Sequence, residues 1–267
     1  MPTAYNDDVA LAYDRRGPPE AETVVFVEGL GYGRWMWRWQ RDTLAEEYDT
    51  IVFDNRGTGA SDCPPGPYGI EAMAGDLDAV LADAGVSSAH VVGASMGGMI
   101  AQRYALDYDR ADSLVLLCTS PGGEDAVPVP EETQAYMFDA PADADEREKL
   151  RYKMTPAVSE GFFEENANLV EEIVDWRLDG DASEAGRNAQ AAAVTAFDAS
   201  DDLDALTLPV LVVHGTADAV LPVENAHALH DRLPNSTLEL VDGGPHLVFI
   251  EHADDVTGRI RRFLDEQ

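Results

Sequence analysis

The chain has 267 residues, enough for one substantial core with room for a subdomain. Its 51 acidic residues against 18 lysines and arginines give a formal net charge of −33, which argues against nucleic acid as a partner, because phosphate contacts need a basic stripe. No apolar stretch approaches the length of a membrane span, and Met1–Ala10 lacks a basic n-region and an apolar h-region, so no membrane contact is expected and the cytoplasm is the default.

In chain order, Asp8–Arg15 and Thr23–Glu28 read as strands separated by the turn Gly17-Pro18-Pro19. Trp35–Glu46 reads as a helix and Thr50–Asp54 as a strand. Ile70–Ala84 follows as a helix whose apolar positions Met73, Leu77, Val80 and Leu81 fit a 3.6-residue period. Ala89–Val92 is a strand, Met96–Tyr108 a helix and Ser113–Cys118 a strand. This alternation implies an α/β fold, a mostly parallel sheet with helices on both faces. The alternation breaks at Ser120-Pro121-Gly122-Gly123. Residues from about 131 to 199 read as short helices, with Leu169, Ile173, Val174 and Trp176 on one amphipathic face. The sheet resumes with Pro209–His214 and Thr237–Val241, and Val223–Leu233 and His252–Leu264 are helices. The expected division is a core of residues 1–120 and 200–267, with residues 121–199 inserted as a helical cap. The rival is a small independent helical domain.

The chemistry concentrates at Gly93-Ala94-Ser95-Met96-Gly97. This G-x-S-x-G run joins a strand to a helix, a cramped turn that exposes a serine hydroxyl and sets the Met96 N–H where an oxyanion forms. A serine needs a base, and the base an orienting acid. Asp218 follows the Pro209–His214 strand, and His246 lies in the Asp242-Gly243-Gly244-Pro245 loop after the Thr237–Val241 strand. All three then fall at one edge of a parallel sheet, where such sheets place their sites. Asp218 could instead cap the helix near Pro222. Asp198, Asp201, Asp202 and Asp204 are competing acids, set where the insertion returns to the sheet. Among the other histidines, His90 falls within a strand, His227 and His230 on a helix, and His252 at a helix start, while His214 reads as a brace for the Asp218 loop.

These motifs, with Val27-Glu28-Gly29-Leu30-Gly31, Asp54-Asn55-Arg56-Gly57-Thr58-Gly59-Ala60-Ser61, His214-Gly215-Thr216-Ala217-Asp218 and Gly244-Pro245-His246, make the chain resemble the α/β-hydrolase fold, in the branch of cofactor-free esterases, lactonases and haloperoxidase-like enzymes. The resemblance implies a Ser95–His246–Asp218 triad acting on a small carboxylic ester or lactone without a cofactor, with the Leu30 and Met96 N–H groups as the oxyanion hole. On the same triad, carbon–carbon bond hydrolysis, perhydrolysis or acyl transfer are alternatives, and a ligand sensor with little turnover is the alternative from another class. Tyr32, Trp35 and Cys118 are candidate pocket residues. Trp37 and Trp39 read as packing of the first helix on the sheet. Arg56 could bind a substrate carboxylate, but a brace for the oxyanion loop is the stronger reading.

One position departs from the family pattern: Glu28 stands where a histidine is usual. A carboxylate there must pair with a cation or be held neutral, and an ion pair with Arg56 is the expectation. Cys63 and Cys118 are expected as free thiols. No residue spacing suggests a metal, and Gly29 and Gly31 lack the rest of a dinucleotide pattern. Acids spread along the chain, with Lys149 and Lys153 as the only lysines, resemble the composition of cytosolic proteins from salt-in halophiles. An acidic partner-binding face is the alternative.

Overall fold

The computed structural model describes the backbone of residues 1–267 and every side chain except that of Phe138. Eight strands form one sheet in the order β1-β2-β4-β3-β5-β6-β7-β8. They are β1 (Thr3–Asn6), β2 (Val9–Arg16), β3 (Thr23–Val27), β4 (Asp49–Phe53), β5 (Ala89–Ala94), β6 (Ala111–Leu117), β7 (Val210–Gly215) and β8 (Ser236–Val241). The β1–β2 and β2–β4 pairs are antiparallel, and all later pairs are parallel.

The helices are α1 (Arg38–Leu44), α2 (Ile70–Asp83), α3 (Met96–Asp107), α4 (Glu131–Phe138), α5 (Glu146–Met154), α6 (Phe162–Glu165), α7 (Ala167–Gly180), α8 (Glu184–Ala196), α9 (Glu224–Arg232), α10 (Val248–Glu251) and α11 (Ala253–Leu264). A 3-10 turn, Arg34–Trp37, takes the start of the expected first helix. The run α4–α8 lies between β6 and β7 as a helical insertion.

Strand alternation sorts the core into two layers. Along β3, Val25 and Val27 face the layer built by Met73, Leu77 and Val80 of α2 and Ile100 and Tyr104 of α3. Val24 and Phe26 face the opposite layer, with Trp37, Phe249 and Val256. Each such fully buried side chain contributes about 1.5–3 kcal/mol relative to exposure. Trp37 is fully buried and stacks on Phe249 at 5.2 Å between ring centroids, as expected of a core residue, whereas Trp39 is half-buried and meets Trp176 of the insertion edge-on.

The insertion is fastened at its base and over its span. Its two ends meet in a Gly122–Asp198 bridge, and the Ala199 N–H donates to the Pro121 carbonyl at 2.9 Å. Farther in, Leu247 N–H donates to Ala157 O at 2.8 Å, and Ala182 N–H donates to Gly31 O at 2.9 Å. These contacts lock it onto the loops that follow β8 and β3.

Candidate active site

Strand β5 runs directly into Ser95, whose backbone is left-handed in φ (φ 55°, ψ −119°). A side chain in such a conformation costs about 1–3 kcal/mol and persists only where its surroundings over-determine it. Here Ser95 N–H donates to Leu117 O at 2.9 Å, and its carbonyl accepts from Gly98 N–H at 2.9 Å and Thr119 Oγ1 at 2.7 Å. The flanking glycines are sterically required. A Cβ at Gly93 would lie 2.2 Å from Gly97 O, and one at Gly97 would lie 2.1 Å from Val27 O. The elbow therefore fits only because α3 can approach β3 and β5 through bare backbone.

The Leu30 and Met96 N–H groups have no hydrogen-bond acceptor among the described residues. Leu30 lines the cavity above Ser95, and Met96 opens α3, where the helix dipole adds partial positive charge. A Cβ on Gly29 would lie 3.5 Å from Ser95 Cβ, so the two turns face each other closely.

Asp218 sits just past β7, almost fully buried. Its Oδ1 accepts from the N–H groups of Val220 (2.8 Å) and Leu221 (2.9 Å). Its Oδ2 lies 2.7 Å from His246 Nδ1 and 3.1 Å from His214 Nε2. Burial pushes the Asp218 carboxyl up. The charge of His246 and the bonds from both imidazoles outweigh burial and hold it well below the usual carboxylate range. A carboxylate on Nδ1 makes that nitrogen the protonated one and leaves the lone pair of His246 on Nε2. His214 also bonds Leu221 O at 2.8 Å, so it braces the Asp218 loop as expected.

Ser95 and His246 line one cavity, with Met36, Met137, Val220 and Phe249 among its apolar walls. No hydrogen bond joins their side chains among the described residues; such contacts often tighten only around substrate. Of the expected pocket residues, Tyr32 lines this cavity. Trp35 does not: its Nε1 donates to Asp181 at 2.9 Å and its ring packs on Trp176, behind Tyr32. Cys118 does not either. It is buried beneath the site, where one donor atom each from Cys118, His214 and Asp218 fall within 4.8 Å of one another. Burial pushes its thiol up, and both cysteines are free thiols.

The expected Glu28–Arg56 ion pair is absent. Arg56 is bidentate to Asp76 of α2, with both contacts at 2.6 Å, and its guanidinium is unavailable to Glu28 or to a substrate carboxylate. Glu28 is fully buried and neither carboxyl oxygen has a hydrogen-bond partner. Burial first, then the neighbouring charge of Asp54, push its carboxyl well above the ordinary range, against smaller opposing effects from its own backbone N–H, too poorly placed for a full hydrogen bond, and from Arg34. Arg34 is itself paired with Asp54 at 2.6 Å. Of the two arrangements named for Glu28, the ion pair is not formed, and burial pushes the carboxyl toward the neutral form.

Sequence reading missed the residues the insertion brings down. Gln190 of α8 accepts from Gly31 N–H (2.8 Å) and donates to Arg56 O (2.8 Å) and Thr58 Oγ1 (2.8 Å), tying together the loops after β3 and β4. A signal existed: Gly186, Ala189, Gln190 and Ala193 form the buried stripe of α8, and only the glutamine is polar. Lys153, Arg177 and Arg187 also line the cavity.

Residues 22–253 match the family model for the alpha/beta hydrolase fold. The chain is 28% identical to 3-oxoadipate enol-lactonase 2 of Acinetobacter baylyi, covering 93% of this chain and 91% of that protein. A thermophilic esterase from Thermogutta terrifontis superposes with a TM-score of 0.80 at 30% identity, covering 97% of this chain and 94% of that one. An esterase from Exiguobacterium antarcticum gives 0.86 at 25% identity, covering 98% of both chains. With the sheet order, the elbow and the family match agreeing, the chain belongs to the α/β-hydrolase fold family.

Proposed function

We propose that the protein is a serine hydrolase of small carboxylic esters or lactones, with residues 121–199 acting as a cap over its site. The observation that carries this reading is the Asp218–His246 pair at 2.7 Å, facing the same cavity as a serine held at positive φ. Ser95 Oγ attacks the substrate carbonyl while His246 Nε2 takes its proton. The N–H groups of Leu30 and Met96 receive the developing oxyanion, and Asp218 stabilises the imidazolium. His246 then returns the proton to the leaving alkoxide, which leaves an acyl-Ser95. Water, deprotonated by His246, attacks that acyl group, and His246 returns the proton to Ser95 Oγ as the acid leaves. In a lactone, acid and alcohol leave as one molecule. The lactonase and esterase names of its relatives support this substrate class.

The test is turnover of short nitrophenyl esters together with fluorophosphonate labelling mapped by mass spectrometry. Label on Ser95 and turnover abolished in Ser95→Ala are expected. Near-wild-type turnover in a folded Ser95→Ala protein would sink the serine mechanism, and tight ligand binding without turnover would favour the sensor.

A further inference from the structure

The cavity inverts the sign of the molecule. In a chain of net charge −33, three cations line it, Lys153, Arg177 and Arg187, and among the described residues no carboxylate does. All three come from the insertion.

Their surroundings separate bracing from binding. Arg177 is almost fully buried, pairs with Asp181 at 2.7 Å and stacks over Tyr32 at 4.5 Å, so it is structurally engaged. Helix α5 splits its basic residues between two faces, as positions two apart on a helix must. Arg147 and Arg151 reach Glu171 on α7, and Arg147 also reaches Asp175 at 2.5 Å. Lys149 and Lys153 face the other way, into an adjoining cleft that Glu146, Asp181 and Glu184 also line and that shares Lys153, Arg177 and Arg187 with the cavity at Ser95. Lys149 is paired with Glu146 at 2.9 Å. Lys153 has no hydrogen bond and no ion pair among the described residues; Glu146 and Glu184 act on it only at longer range. Burial, then the charges of Arg187 and Arg177, push its ammonium below the usual range. Arg187 lies over Gly31 of the oxyanion loop and donates to Met137 O at 3.2 Å. A bound anion would relieve the mutual repulsion of these cations.

We propose that the site selects an ester or lactone carrying a carboxylate away from the scissile bond, and that Lys153 and Arg187 of the insertion receive that carboxylate. The proposal rests on Ser95 being the nucleophile only for the word "scissile"; the anion site stands on the cations themselves.

The experiment compares nitrophenyl hemiglutarate with nitrophenyl valerate, near-equal in length and differing in charge, and separately measures calorimetric binding of glutarate and glutaramide at one fixed salt concentration. The wild type is expected to favour the half-ester in kcat/KM and glutarate over the diamide. Lys153→Met is expected to cut the half-ester preference about tenfold, mainly through KM, since a hydrogen bond to a charged group is worth about that factor. Lys153→Arg should restore most of it, and Arg147→Gln, on the opposite face of α5, should leave it unchanged. Equal kcat/KM for both esters with no preference for glutarate would overturn the proposal while leaving the Ser95 reading intact. Preference for glutarate without turnover of either ester would do the reverse.

Discussion

The loops after β3 and β7 each bury a carboxylate beside the same cavity, and they hold them in opposite states. Asp218 receives two backbone N–H groups and two imidazoles, and it stays charged far into acid. Glu28 receives no side-chain partner, and burial drives it toward the protonated form. Depth below the surface is similar; the difference lies in donors. Burial sets the cost of charge, and hydrogen bonds decide whether that cost is met.

The largest effect should come from breaking the Asp218 side. Asp218→Asn keeps the shape but removes the charge that fixes the His246 tautomer, and kcat should fall about 10⁴-fold. His246→Ala should lose at least as much as Asp218→Asn, because triad members act as a unit. Steady-state kinetics on a nitrophenyl ester decides this, and a loss below tenfold in either variant would remove the pair from the chemistry.

A smaller loss should follow from loosening the Glu28 side through its neighbour. Gln190→Leu removes the acceptor for Gly31 N–H and should displace the Leu30 amide. A fall in kcat of about 10²-fold, with KM changed less, is expected for a misplaced oxyanion donor. If KM rises and kcat holds, Gln190 supports binding and not the oxyanion loop.

Glu28 itself sharpens the comparison through stability. Its folded-state pKa is raised, so the stability it carries is fully present below its unfolded pKa and is lost as pH rises toward the folded value. Glu28→Gln removes that loss. The variant should match the wild type near pH 4 and gain on it steadily as pH rises above about 4.5, the range where an unfolded glutamate ionises. Urea midpoints across pH 4–8 test this. A constant difference would mean that Glu28 is ionised when folded.

The smallest effect per charge belongs to the surface, where an exposed pair is worth about 0–1 kcal/mol and solvent ions serve as partners. Raising KCl from about 0.1 M to about 1 M shortens the Debye length from about 10 Å to about 3 Å. With 51 acids against 18 bases, the melting temperature should climb over that range. A flat profile would reject the halophilic reading and point to a partner for the acidic face.

The positions of Ser95, Asp218 and His246 were legible because each lies at a strand end inside a short motif whose spacing is set by backbone geometry. Strand β1 was not legible: Thr3–Asn6 buries only Ala4, so its alternation is too short to register. The Glu28–Arg56 expectation failed for a physical reason. Asp76 sits on the buried stripe of α2 between Met73 and Leu77, and its carboxylate takes the Arg56 guanidinium in a two-point contact that leaves none for Glu28. That charged residue on an apolar stripe was the available warning. The cations of the insertion were not legible, because helices α5, α7 and α8 meet the cavity only through tertiary packing. Trp35 and Cys118 follow the same rule in reverse: nearness in sequence to a site loop did not bring their side chains into the cavity.

The bridge between Gly122 and Asp198 closes the insertion at its neck. A segment that leaves and rejoins the sheet at one point places few demands on the strands beneath it, since its ends need only stay together. Such a segment is a natural graft. Substituting the stretch above that neck with one from a related hydrolase should transfer substrate preference as a unit, while the elbow, the acid loop and the histidine loop keep their places.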